Sequence, residues 1–264
     1  MISAQLMAMV DAGALVAVSH SGGKDSQAML IALSATVPRE QMIVVHASLG
    51  DMEWPGTLEL AQHQAECLGL PFLVARAGKT LLGMVERRYA TRPEVPSWPS
   101  PGTRQCTSDL KRGPIRREVG RYARERGYKT IINCMGLRAE ESSARAKRPT
   151  LQRIESASSG RRDWWDWLPI HHYTTPEVFG AIRAAGQSPH HAYAEGNDRL
   201  SCVFCIMASR NDLRNGARQH PELYQRYVAM EAHTGYTMHA SRIPLVELVA
   251  DEPQQGLHFG SRAA

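Results

Sequence analysis

The stretch from Ala14 to Ala35 narrows the fold more than any other part of the chain. Ala14–Ser19 (ALVAVS) is a short, continuous apolar run. It ends at the pair Gly22-Gly23, and an amphipathic stretch from Asp25 to Ala35 follows. A buried run too short for a helix, a glycine pair and then a helical period predict strand, tight turn and helix. Gln41–Ser48 reads as a second strand, a helical pattern follows from Pro55 to Leu68, and Pro71–Arg76 reads as a third strand. Lys129–Met135 is the next strand, after an arginine-rich helix that ends near Gly127. Strands alternating with helices require crossover connections, so the expected class is α/β, a Rossmann-like, mostly parallel sheet with helices on both faces.

Beyond Ile170 the pattern becomes helical. Thr175 and Pro176 are placed as N-cap and first residue of a helix to Ala185, and another helix is expected from Pro221 to about Ala232. The expected division is a nucleotide-binding α/β domain over 1–170 and a smaller helical region over 171–264 that carries the later cysteines. Two stretches read as mobile loops: the proline-rich Thr91–Thr103 and the polar, serine-rich Gln152–Asp163.

The hexapeptide Ser21-Gly22-Gly23-Lys24-Asp25-Ser26 fills the first turn. Paired glycines let a backbone approach a ligand closely, and a helix starting at Asp25 aims free N–H groups at an anion, so phosphate is the expected guest. It is not a Walker A loop, because Val18 and Asp25 stand where that motif needs Gly and Ser/Thr. Ligands of open α/β sheets bind over the carboxyl ends of the strands. Asp51, after the second strand, and Gly136, Arg138 and Arg145, after the fourth, would border that crevice; a helix or turn cap is the other reading of Asp51.

Charge is unevenly distributed. Residues 104–162 hold 16 Lys and Arg against 6 Asp and Glu, a net of +10, while the rest of the chain holds 15 against 20, a net of −5. A local basic segment fits a phosphate-rich partner, nucleotide or nucleic acid. Arg112, Arg116, Arg117, Arg121 and Arg124 also fit a solvated helix face shared with Glu118 and Glu125. Trp164, Trp165 and Trp167 offer either stacking surfaces for bases or core. No run approaches the roughly 18 apolar residues of a membrane span, and the N-terminus lacks a cationic secretory region. The expectation is a soluble chain without membrane contact. Five cysteines, an odd number, point to a reducing, cytoplasmic setting rather than a disulfide framework.

Cys202 and Cys205 form a CxxC, and Cys106 leaves the proline-rich stretch. Soft thiolates select zinc or iron–sulfur centres. A thioredoxin-type motif would open the first helix of its fold, whereas this pair is late in the chain. Cys134, in an apolar strand, reads as a core thiol, and Cys67 as a core residue on a helix face.

Ser21–Ser26 resembles the SGGxDS pyrophosphate loop of the adenine nucleotide α-hydrolase superfamily, whose members cleave ATP between the α and β phosphates. Leu49-Gly50-Asp51 with Pro55 and Thr57, Arg104–Lys111 (RQCTSDLK), Gly136–Arg145 (GLRAEESSAR), Trp167–Ile170 (WLPI) and Arg199–Cys205 (RLSCVFC) extend the likeness. Together they resemble the phosphoadenosine phosphosulfate reductase family, nearest to its DNA-phosphorothioation and phage reductase-like branches, from residue 14 to about 230. The resemblance implies ATP and Mg²⁺. Ser19, Ser21, Gly22, Gly23, Lys24, Asp25, Ser26, Asp51 and Gly136 would contact the nucleotide. Lys24, Asp25, Ser26 and Arg138 would act in catalysis, Lys24 neutralising the leaving pyrophosphate. Arg104, Lys111, Arg138, Glu141 and Arg145 would face substrate. Cys106, Cys202 and Cys205 would hold a [4Fe-4S] cluster. Gln105 replaces the first cysteine of the family's Cys-Cys pair, so the fourth ligand is non-protein, or Cys134 or a histidine closes the set. Zinc with His172, His190 or His191 is the rival.

Sulfonucleotide reductases attack sulfur with a cysteine in a terminal Glu-Cys-Gly-Leu/Ile-His segment. Here the terminus reads Gln254-Gln255-Gly256-Leu257-His258, and glutamine cannot be that nucleophile. The expected function is therefore ATP-dependent sulfur transfer, with a nucleic-acid or nucleotide acceptor, a sulfur donor such as a cysteine desulfurase, and partner subunits or a homodimer. A sulfonucleotide reductase and a non-catalytic ATP- or nucleic-acid-binding subunit are the alternatives.

Overall fold

The computed structural model describes residues 4–250. Six strands, β1 (Leu15–Ser19), β2 (Met42–Ser48), β3 (Phe72–Arg76), β4 (Thr130–Met135), β5 (Leu151–Arg153) and β6 (Asp163–Trp167), form one sheet in the order β3-β2-β1-β4-β6-β5. All pairings are parallel except β5 against β6. The helices are α1 (Ala4–Asp11), α2 (Lys24–Ser34), α3 (Thr57–Cys67), α4 (Leu81–Thr91), α5 (Gln105–Thr107), α6 (Gly113–Glu125), α7 (Ser143–Ala146), α8 (Thr175–Ala184), α9 (Arg210–Gln219), α10 (Pro221–Thr234) and α11 (Leu245–Val249). A π-helical turn, Ser108–Arg112, joins α5 to α6.

Strand alternation sorts the core. Val16, Val18 and Val44 point to one face, packing with Met29 and Leu33 of α2 and Val178 and Ile182 of α8. Leu15, Ala17, Ile43 and Val45 point to the other, against Val119 and Ala123 of α6. Both faces are thus covered, which is what a parallel sheet requires. A third cluster joins Leu49, Met52 and Trp54 after β2, Leu82 and Val85 of α4, and Trp98 to Phe204, Leu213, Tyr227 and Leu248. Packing therefore crosses residue 170 twice: α8 lies in the sheet's own core, and the carboxy-terminal helices share a core with the β2 and β3 ends.

Two stretches expected to be mobile are built in. Gln152–Asp163 forms much of the β5–β6 hairpin, whose Arg153 Nε and Nη2 donate to Asp163 Oδ1 at 3.0 and 2.7 Å. In the proline-rich stretch, Ser97 and Trp98 are buried, and the Trp98 ring lies 5.7 Å from that of Tyr227. Trp164 and Trp167 are core residues, so these two have no face for stacking bases. Cys134 is buried as expected. Cys67 is exposed, because the buried stripe of α3 is Thr57, Ala61, Gln64 and Ala65 and leaves position 67 outside it. The cap of α8 is Thr174 rather than Thr175; its hydroxyl and Glu177 bond reciprocally as a capping box.

Candidate active site

The strand order reverses direction between β1 and β4, and the loop after β1 opens there. Gly22 adopts φ +73°, and a Cβ on it would lie 2.6 Å from Thr57 Cγ2 and 2.8 Å from Thr57 O. Only glycine fits both the left-handed backbone and that contact. Ser26 closes the loop: its Oγ donates to Gly23 O at 2.8 Å and accepts from Ser21 N at 3.1 Å. Gly23, the N-cap of α2, has no side chain to cap the helix, and of the first-turn amides the Lys24 N–H is taken by Tyr193 Oη at 3.1 Å, so an anion would be met by the amides that follow. Across the sheet, a Cβ on Gly136 would come within 3.0 Å of Asp25 C and O, so the β4 end also needs glycine to approach α2.

A cavity of about 340 Å³ lies at this switch point. Its lining includes Ser19, Ser21, Asp25 and Ser26 from the first turn, Gly136, Glu141 and Arg145 from the segment after β4, and Lys111 from the π-helical turn. The carboxy-terminal region supplies Ser201 and Cys202. Arg145 is ion-paired with Glu141. Ser19 Oγ donates to Asn133 Oδ1 at 2.9 Å, and Asn133 passes the chain to Asp166 Oδ1 at 2.9 Å.

Of three further lining residues, Glu53 and His20 carry no sequence motif, and Thr57 belongs to the pattern after β2. Glu53 accepts from Leu49 N at 3.1 Å and stands 3.2 Å from His46 Nε2. His20 accepts the Gly22 N–H on Nδ1 at 3.1 Å; burial, reinforced by nearby His46, lowers its pKa to about 3, so it is neutral. Thr57 is fixed by its bond to Trp54 O at 2.6 Å. The strand-end rule that selected Asp51 applies equally to Glu53, and only the chain path separates them.

Other expected site residues lie outside the lining. Asp51 is turned outward and ion-paired with Arg226 of α10. Arg104 sits at φ +42° on the surface, with Nη2 against Met207 Sδ at 3.4 Å. Lys24 is buried, its Nζ 3.4 Å from Asp25 Oδ2 and 5.3 Å from the centroid of Tyr193, whose hydroxyl accepts from Lys24 N. Arg138 does not face the cavity. Its guanidinium donates to Asp25 Oδ1 at 2.6 Å, Glu140 Oε2 at 2.8 Å, Tyr173 O and Thr175 Oγ1, both at 3.1 Å. Burial opposes this charge, yet Asp25, Glu140 and Glu141 hold its pKa above the usual arginine value. Arg138 positions Asp25 and fastens α2 to the segment after β4.

The cysteines gather beside the cavity. Cys202 pairs antiparallel with Glu53, and Val203 N donates to Met52 O at 2.9 Å, so the CxxC is laid along the end of β2. Burial pushes the Cys202 thiol up to about 11; Lys111 opposes this, and Cys205, Cys106 and Glu53 add to it. Cys202 most, with Cys205, Cys106 and Glu53, raises the Lys111 pKa against the effect of burial. The three thiols and the Lys111 ammonium are thus electrostatically coupled. Among the described residues no group of three or more His, Cys, Asp or Glu side chains is gathered to hold a metal ion. His190 and His191 both direct Nε2 to Pro55 O at 2.9 Å, and the His172 ring lies against Tyr173. That speaks against a single zinc shell built with these histidines. Among the described residues no helix is long and apolar enough to cross a membrane. Gln254–His258 lies outside the described residues.

A mostly parallel sheet of this order, with a glycine-built loop at its switch point, is an α/β architecture whose ligands bind over the strand ends. The chain belongs to the phosphoadenosine phosphosulfate reductase domain family, whose pattern it matches over residues 15–208. It is 30% identical over 134 residues to an uncharacterized 37.8 kDa protein of Escherichia phage 186, covering 51% of this chain and 39% of that one. It is 24% identical over 213 residues to an uncharacterized protein of Methanocaldococcus jannaschii, covering 80% and 40%. The matches therefore span about two fifths of each relative's length. Solved structures with partial likeness include a phosphoadenylyl-sulfate reductase from Candida auris in complex with phosphate, at 14% identity, 71% and 80% coverage and a TM-score of 0.45. Another is an FMN adenylyltransferase from Candida glabrata with FAD and inorganic pyrophosphate, at 13% identity, 71% and 55% coverage and a TM-score of 0.42.

Proposed function

We propose that this chain is an ATP pyrophosphatase that activates an acceptor for sulfur transfer. One observation carries the reading: the anion loop of β1–α2 and the cysteine group open onto the same cavity, through Ser21 and Ser26 at one end and Cys202 and Lys111 at the other. ATP fits with its β and γ phosphates on the loop amides and the Ser21 and Ser26 hydroxyls. The acceptor oxygen attacks the α phosphate, the α–β bridging bond breaks, and pyrophosphate leaves with its electron pair. A sulfur nucleophile then displaces AMP from the adenylated acceptor.

The chain's residues have defined parts in this. Arg145, held by Glu141, and Lys111 supply positive charge around the α phosphate as it becomes pentacoordinate. Arg138 keeps Asp25 in place, and Lys24 supports the loop from behind, over Tyr193. Mg²⁺ would come with the nucleotide and offset phosphate charge, and of this chain's residues Asp25, Glu53 and Glu141 are the cavity-lining carboxylates that would hold it. Cys106, Cys202 and Cys205 would hold three corners of a [4Fe-4S] cluster, with the Lys111 ammonium offsetting thiolate charge; when bound, the cluster would supply the sulfur-carrying chemistry. This leaves the fourth position without a matched cysteine, since Gln105 stands at that place in the family pattern.

The test is sulfur incorporation. Protein purified without oxygen is given ATP, Mg²⁺, a cysteine desulfurase with radiolabelled cysteine, and a single-stranded oligonucleotide or tRNA. The reading predicts label in the nucleic acid, dependent on ATP, with one pyrophosphate per sulfur. Sulfite release from an adenylyl sulfate instead would make the chain a sulfonucleotide reductase. ATP binding with neither product would leave a nucleotide-binding subunit.

A further inference from the structure

A second cavity of about 200 Å³ opens between α6 and the β5–β6 hairpin, lined by Arg112, Arg116, Arg148, Gln152, Ser156 and Asp166 among others. Met135 lines both this cavity and the ATP cavity, so the two are neighbours at the β4 end. We propose that it holds a phosphate ester of the acceptor substrate; calling the ligand the acceptor rests on the function proposed above, whereas the anion site does not.

Charge and partners carry the argument. Three guanidinium groups and one carboxylate line the cavity, a net of +2 that matches one phosphate dianion. Asp166 already accepts from Asn133 Nδ2 at 2.9 Å and Trp164 Nε1 at 3.1 Å, so its charge is drawn into the sheet. Among the described residues, the Arg112 and Arg148 guanidinium groups have no hydrogen-bonded or ion-paired partner, unlike Arg117, Arg121, Arg138, Arg145 and Arg153. Arg116 is laid over the Trp164 ring at 5.9 Å. Burial lowers its pKa below the usual arginine value; Asp166 opposes this, and like-charged Arg112 and Arg162 add to it. An anion between Arg112, Arg116 and Arg148 would relieve that repulsion with charge-assisted bonds. The space exceeds the roughly 30 Å³ share of one water several-fold. The Asp166–Asn133–Ser19 chain links the two cavities through the sheet.

The test is equilibrium binding of a fluorescent oligothymidylate across a salt series without ATP. It compares the full chain with the double variant Arg112→Gln/Arg148→Gln and, on the solvated face of the same helix, Arg121→Gln/Arg124→Gln. The pocket pair is expected to lose about tenfold or more in affinity and to flatten the log–log salt slope by roughly 0.7 per lost phosphate contact, with little change in the control pair. Competition by thymidine 5′-monophosphate at similar concentration would make the ligand a mononucleotide; resistance to it would make it a strand; either supports the site. Equal losses in both pairs, or none in the pocket pair, would overturn it. Pyrophosphate formation separates the two readings: arginine-dependent binding without it removes the function and leaves the site, and turnover unaffected by the pocket pair leaves the function and overturns the acceptor as the ligand held there.

Discussion

Gly22→Ala isolates the loop's design. The added methyl meets Thr57 Cγ2 at 2.6 Å and Thr57 O at 2.8 Å, and Thr57 cannot withdraw, because its hydroxyl is bonded to Trp54 O and its backbone begins α3. The residue must also hold φ +73°. A left-handed non-glycine costs about 1–2 kcal/mol, and overpacking a rigid neighbour adds about 1–3 kcal/mol, so the expected loss is about 2–5 kcal/mol. For a chain of this size that lowers Tm by roughly 5–15 °C. Gly23→Ala is the internal control: its φ is −83° and the nearest atom to an added Cβ is Tyr193 Oη at 3.3 Å. It should cost under about 1 kcal/mol in stability. Thermal unfolding reads both. Equal Tm values for the two variants would refute the steric argument.

The other predictions concern charge and core. The folded His20 pKa, about 3, lies below the unfolded value, so the unfolded chain takes up the proton first as pH falls. Stability is whole above about pH 6.5 and declines below it by up to about 1.4 kcal/mol per pH unit toward pH 3; urea unfolding across that range should show the decline, and His20→Asn should flatten it. Arg138→Met removes the shorter of the two ion pairs of Asp25, leaving Lys24 at 3.4 Å, and should cost about 2–3 kcal/mol in urea unfolding, less than a fully buried pair because Asp25 keeps that cation and some solvent contact. Trp164→Ala should lose about 3–5 kcal/mol in the same assay, since the ring is core.

Local pattern carried the first half of the fold. The apolar runs of β1 to β4 and the helical periods of α2, α3 and α6 are contiguous in sequence, and their expected ends fall within a few residues of the observed ones. The β5–β6 hairpin was hidden because Gln152, Arg153, Asp163 and Asp166 look like loop residues until β4 supplies the edge on which β6 pairs. For the site, the glycines, serines and cysteines were legible from their spacing. Glu53, His20 and the outward turn of Asp51 were not, because each depends on what packs opposite: His46, Gly22 and Arg226. Arg138 shows the same limit in reverse. Its position after β4 suggested a side chain bordering the crevice, but four partners on α2, the following turn and the α8 segment claim its guanidinium.

The most direct measurement is which bond of ATP breaks. With Mg²⁺ and an acceptor that supports turnover, the products of α-labelled ATP are separated and counted for the intact chain and for Ser26→Ala, which unties Ser21 from Gly23. The account predicts labelled AMP with an equal amount of pyrophosphate, and sharply less of both in the variant. Labelled ADP with inorganic phosphate, or AMP formation indifferent to Ser26, would contradict it.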